Sequence, residues 1–166
     1  TGETLISKRH APNKWWASGN SILQLDDGSF IVGGKVRADK RAPTNSAVWR
    51  LNHNGEMVWS QPWTGTARRE NNNYHSETVF ALALSPQRDA VIAVGLADGS
   101  NKNPYGDMMD WSMDLNGTQK WVKRYEEPGW QVASDINQIK NNRYLLSGGN
   151  SFFEIDSDGK LIKIHK

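Results

Sequence analysis

The sequence predicts an all-β chain of four-stranded antiparallel modules set radially, a β-propeller, and three observations carry that expectation. First, an apolar strand followed by a polar turn, Gly, three residues and Trp recurs, at Leu51 to Trp59 and at Met113 to Trp121. A degenerate copy runs Glu154 to Ile162, and Thr1 to Arg9 resembles the same motif entered halfway. Second, Asn-Gly and Asp-Gly pairs separate apolar runs of strand length, the strongest short-range hairpin signal. Third, no segment sustains a 3.6-residue period. The motif glycines Gly2, Gly55, Gly117 and Gly159 lie 53, 62 and 42 residues apart, about 50 on average and close to one propeller blade.

Each element follows in order. Residues 1–9 are expected to form the fourth strand of a preceding blade, residues 10–63 the first full blade, 64–125 the second and 126–166 the third. In the first blade the strands fall at Asn20 to Leu25, Phe30 to Gly34, Ala47 to Leu51 and Met57 to Trp63. In the second they fall at Thr78 to Leu84, Ala90 to Leu96, Met109 to Leu115 and Thr118 to Tyr125. In the third they fall at Ala133 to Ile139, Arg143 to Gly149, Phe152 to Asp156 and Lys160 to His165. Third strands alternate, with Ala47, Trp49 and Leu51 on one face. Second strands are apolar throughout, as expected when neighbouring sheets cover both faces. The turns Asn54-Gly55, Asn116-Gly117 and Asp158-Gly159 are expected to need positive φ at both central positions.

Three blades fall short of the four at which propellers begin. Their outermost sheets would expose apolar area, so the ring is expected to be partial and completed by another chain or by further blades of a longer protein. A cut within a blade accounts for the stray leading strand better than self-assembly does.

Composition excludes more than it names. Net charge is +2 and Arg68-Arg69 is too short a basic run, which gives no footprint for nucleic acid. Cysteine is absent, which removes disulfides, thiolate metal sites and cysteine nucleophiles. No apolar run approaches the length of a membrane span. His10, His53, His75 and His165 lack zinc spacing. Asp156-Ser157-Asp158-Gly159 is a hairpin turn rather than a calcium loop. Asn116-Gly117-Thr118 matches a glycosylation acceptor but sits in a turn. No metal, no cofactor and no catalytic residue is expected.

The Gly-x-x-x-Trp box, with Asp upstream, resembles the quinoprotein-like repeat. Asp27-Gly28-Ser29-Phe30-Ile31-Val32-Gly33-Gly34 is similar to the related repeat of bacterial secreted propellers. The likeness covers essentially the whole chain. It implies a propeller fold, a bacterial-like chain and a secreted or periplasmic location, while these repeats are structural devices that leave function open. The pattern departs in three places: Lys163 and Ile6 stand where the motif has Trp, and Asn52 or His53 replaces the first Asp. The structural motif is therefore carried by Gly55, Trp59, Gly117, Trp121 and Gly159. Trp59 and Trp121 are expected to be buried between blades, each worth about 3 kcal/mol.

Propeller topology sends the connections alternately to two faces. One face is expected to hold short turns only. The other collects the long connections around residues 10–15, 37–45, 64–75, 97–107 and 126–130, and long loops on a rigid scaffold usually bind. Ligand-binding candidates there are Trp15, Arg37, Arg41, Arg68, Arg69, Tyr74, His75, Tyr105 and Trp130, because Arg and aromatic residues favour interface hot spots. The expected function is non-enzymatic: a binding or scaffold propeller recognising a protein or glycan through that face. The alternative is part of a propeller enzyme completed by blades outside this chain, a glycoside hydrolase or a quinoprotein-like oxidoreductase. For the first, an opposed pair such as Asp39 with Asp107 would be required; for the second, no cofactor-binding set maps onto these residues.

Overall fold

The computed structural model describes residues 16–40, 42, 44–63, 77–97, 106–125 and 131–166. The expected leading strand at 1–9 lies outside them. Twelve strands form three four-stranded antiparallel sheets, each in simple up-and-down order. The first sheet holds β1 (Trp16–Gln24), β2 (Phe30–Arg37), β3 (Thr44–Leu51) and β4 (Met57–Pro62). The second holds β5 (Thr78–Leu84), β6 (Ala90–Ala97), β7 (Asp107–Asp114) and β8 (Gln119–Tyr125). The third holds β9 (Ala133–Ile139), β10 (Arg143–Gly148), β11 (Ser151–Ile155) and β12 (Leu161–His165). These are propeller-like blades, stacked face to face through their inner strands: β5 packs on β1, β2 and β3, and β9 packs on β5 and β6.

Two apolar cores lie in the seams between blades. Ile31, Val48, Leu82, Ala93, Trp111 and Met113 fill the first seam. Ile92, Val94, Met108, Ile136, Leu146, Phe153 and Ile155 fill the second. Sheet 2 is covered on both sides, which is why β6 and β7 are buried almost throughout and show no polar alternation. Gly34, Gly95 and Gly148 take equivalent places on the second strands. A Cβ there would run into a neighbouring strand's carbonyl oxygen, on Ser18, Thr78 and Val132 respectively.

The turns between third and fourth strands repeat a single geometry. Asn52 Oδ1 accepts the N–H groups of Asn54 and Glu56 at 3.0 and 2.9 Å. Asp114 Oδ1 accepts those of Asn116 and Thr118 at 2.9 and 2.8 Å, and Asp156 Oδ1 those of Asp158 and Lys160 at 3.0 and 2.9 Å. Asn52, not His53, is therefore the counterpart of the motif Asp. Only the glycine of each turn has positive φ, at 71°, 87° and 72° for Gly55, Gly117 and Gly159. The expectation of two positive-φ positions is corrected by this. Asn52, Asp114 and Asp156 each accept the glycine N–H through their own carbonyl, so the loop is a turn followed by a left-handed glycine, the three-residue hairpin.

A bulge follows in every fourth strand, at Val58, Lys120 and Ile162. The extra residue points outward, which accounts for Val58 and Ile162 being exposed, and the next residue turns into the seam. Trp59 and Trp121 are thus directed at the neighbouring blade, but both are half-buried rather than fully buried as expected. The Trp59 indole N–H donates to the Leu115 carbonyl at 3.1 Å, and the Trp121 N–H to the Ser157 carbonyl at 3.2 Å. Both acceptors stand two residues before a motif glycine. Gly117 and Gly159 lie against the indole faces, so close that a Cβ would come within 3.1 Å of Trp59 and 2.7 Å of Trp121. The repeat is a latch between blades.

Candidate functional site

At the long-loop end of the first seam the strand ends carry a group of polar and charged residues. Arg37 closes β2 and donates from Nη2 to Thr44 Oγ1 at 3.1 Å. The Thr44 carbonyl accepts the Glu77 N–H across the seam at 2.9 Å. Ala97 and Asp107 pair across β6 and β7, and Glu77 immediately precedes β5, whose Thr78 pairs with Leu96. The carboxylates of Glu77 and Asp107 are both 0% exposed. Arg124 Nε lies 3.6 Å from Asp107 Oδ2. Buried charges persist only when compensated, and Arg124 stands beside Asp107 in that role. Beside them Trp16 pairs in register with Arg37, is 39% exposed, and carries Lys35 Nζ 5.3 Å from its ring centroid. The arrangement offers a rigid base with an exposed indole and cations at its rim; its carboxylates face inward.

The opposite end of the same seam is closed by turns and bears a notch of about 200 Å³, lined by Leu25, Leu84 and Leu115 with Asp26, Asp27, Arg50 and Arg88. Arg88 grips Asp26 with two bonds, at 2.9 and 2.6 Å, across the seam. Arg50 reaches Asp27 at 2.6 Å and the Leu115 carbonyl at 2.8 Å. The hydrogen bond from Arg88 holds the Asp26 carboxyl below its ordinary range, and bonds from Ser29 do the same for Asp27. These guanidinium groups are engaged by the chain itself, so the notch is a clasp between blades.

Of the candidates singled out from the sequence, Arg37 is the one among the described residues. Trp15, Arg41, Arg68, Arg69, Tyr74, His75, Tyr105 and Trp130 lie outside them. Asp39 accepts the Ala42 N–H at 2.8 Å within its own turn, while Asp107 turns into the seam beside Arg124. Among the described residues no group of three or more His, Asp or Glu side chains could hold a metal ion, and no helix is long and apolar enough to cross a membrane. The sequence reading missed Trp16, Glu77 and Arg124. Glu77 carried no signal, since a lone acid before an apolar run reads as solvated. Trp16 could have been found from its neighbour Trp15.

No protein-family model matches the chain, and no curated protein matches it. Among solved structures, a protein of unknown function from Bacteroides caccae is similar, with TM-score 0.61 at 12% identity over 92% of this chain and 47% of that one. The fold is propeller-like. Sqt1 from Chaetomium thermophilum gives TM-score 0.49 at 13% identity over 90% of this chain and 35% of that one. The Pan2 WD40 domain of Neurospora crassa gives 0.48 at 10% over 93% and 51%. At such identities the likeness concerns fold alone. The chain spans about half the length of the Bacteroides protein.

Proposed function

We propose that this chain is a binding or scaffold propeller, non-enzymatic, that recognises a protein or glycan through its long-loop face. The observation that carries the reading is the difference between the two ends of the blades. One end is finished by hairpin turns whose polar groups are consumed by the turns themselves and by the clasp between blades. The other end holds the buried carboxylates of Glu77 and Asp107, the second beside Arg124, with Arg37 bonded to Thr44 and with Trp16 and Lys35 at its rim. Rigid strand ends under long loops are where recognition is commonly placed. The quinoprotein-like resemblance, an exported location and completion of the ring by further blades fit the repeat residues and complete the proposal.

The test is a binding screen of the immobilised chain against a glycan array and against exported proteins. A paired Arg68→Ser, Arg69→Ser variant should lose the captured ligand while its thermal unfolding stays unchanged. Capture that survives this variant and disappears instead with Asp26→Ser at the turn end would contradict the assignment of the binding face.

A further inference from the structure

Register places the three blades residue for residue. Gly34, Gly95 and Gly148 pair with Ala47, Met109 and Ser151. One position further, Val48 and Asp110 face the next blade, and Phe152 is exposed on the outer face of the third sheet. Val48 is fully buried in the first seam. Asp110 stands in the same place in the second seam and is also 0% exposed. An acid has taken the place of an apolar core residue.

Among the described residues neither carboxyl oxygen of Asp110 has a hydrogen-bond partner. The Tyr125 hydroxyl is near enough to favour the ionised form slightly, but it donates its proton to the Gly159 carbonyl at 2.7 Å. Loss of water dominates and pushes the carboxyl up to about 8. Among the described residues the titratable groups facing this spot are few. β8 contributes Lys123, the cross-strand neighbour, and Tyr125; from sheet 3 come Tyr144 on β10 and Asp156 in the last turn. Tyr125 and Tyr144 are pushed upward by burial, and Lys123 makes no ion pair with Asp110. Asp135, Arg143, Glu154, Lys163 and His165 lie on the opposite face of sheet 3, as their pairing with Ser147, Leu145 and Phe152 or their neighbours requires.

We propose that the seam between the second and third blades is a proton-controlled joint, closed while Asp110 carries its proton and loosened when it loses it. An unpaired carboxylate in an apolar seam is strongly unfavourable, and opening the seam returns it to water. The third blade then moves against the second. The sign follows from linkage. An exposed Asp ionises near 3.9, so the closed seam binds a proton that the open seam has released. Its stability is full below that value, declines as pH rises towards about 8, and levels off above.

The two latches give the test its internal control. Trp121 reports on the seam holding Asp110, and Trp59 on the seam holding Val48. Hydrogen exchange of both indole N–H groups is followed by NMR from pH 5 to 9.5, with rates corrected for the free indole. Protection of Trp121 should fall about tenfold per pH unit up to pH 8 and then flatten, as linkage to one proton requires; Trp59 should stay level. Asp110→Asn should abolish the slope at Trp121, and Asp110→Val, which copies the first blade, should do so even if the amide itself weakens the seam. A slope that persists in both variants, a level Trp121 in the unsubstituted chain, or parallel loss at both indoles would overturn the proposal.

Discussion

The two seams share a latch and differ in nearly everything else. In each, an indole N–H reaches a carbonyl of the next blade while a left-handed glycine lies against the ring. The first seam adds charge at both ends: Arg88 to Asp26 at the turn face, and Arg37, Glu77, Asp107 and Arg124 at the loop face. Its middle is tight because Gly33 admits Val79 and Leu82. Among the described residues no ion pair crosses the second seam. Hydroxyls from Tyr125 and Tyr144 bridge it instead, to the Gly159 and Leu84 carbonyls, and it encloses the single acid Asp110. Shared parts belong to the repeat. Chemistry accumulates where the seams diverge, which makes the first a rigid support and the second a joint.

The largest expected effect exchanges their packing. Gly33 of the first seam is the register counterpart of Val94 in the second. A Cβ at Gly33 would sit 2.6 Å from Val79 Cγ1 and 2.9 Å from Leu82 Cδ2. Gly33→Val should therefore cost about 3 kcal/mol in urea unfolding through overpacking. Tolerance of the valine would mean that the first seam is no tighter than the second. Trp59→Ala and Trp121→Ala come next, at about 2 kcal/mol each, less than full core burial because both rings are half-exposed. A near-neutral Trp59→Ala beside a costly Trp121→Ala would show that the latch is dispensable in the first seam. Tyr125→Phe should cost about 1 kcal/mol, the loss of one buried hydrogen bond, read as a lower unfolding midpoint.

Smaller effects separate the turns. Backbone N–H groups of Thr118 and Asn116 hold the Asp114 carboxyl below its ordinary range. Its turn is therefore stabilised above about pH 4 and weakens as pH falls through the depressed value. Asn52 makes the same bonds without a proton to gain. Amide exchange at Thr118 should quicken in acid while that at Glu56 does not, after correction for intrinsic rates. Smallest of all, Arg88→Ala should leave the melting temperature unchanged, because its pair with Asp26 is solvent-exposed. A clear drop would show that the turn-face clasp contributes to the first seam.

The strands were legible because apolar runs and turn glycines punctuate the chain so regularly. Thr78–Leu84 and Ala133–Ile139 fall as expected, and other strands differ by a few residues at their ends, chiefly where polar residues such as Thr44 and Asp107 extend a strand into the loop end. Spacing also exposed the Gly and Trp of the latch, although not its partner, since a bond to a carbonyl on another blade leaves no trace in residue type. The bulge before each Trp was invisible for the same reason. Arg37 was chosen as a loop residue and proves to be a strand end. Asp110 was overlooked inside Met108-Met109-Asp110-Trp111, where a single acid can face solvent or a seam, and only the third blade's position decides which.

A double-substitution cycle between Trp121 and Gly159 bears most directly on the claim that blades are joined by indoles resting on turn glycines. Gly159→Ala alone carries both backbone strain, at φ 72°, and a clash with the ring; removing Trp121 relieves only the clash. The two changes should therefore be non-additive by about 1–2 kcal/mol, the double variant being more stable than their sum. Strict additivity would mean that the ring and the glycine do not touch, and the latch would have to be abandoned.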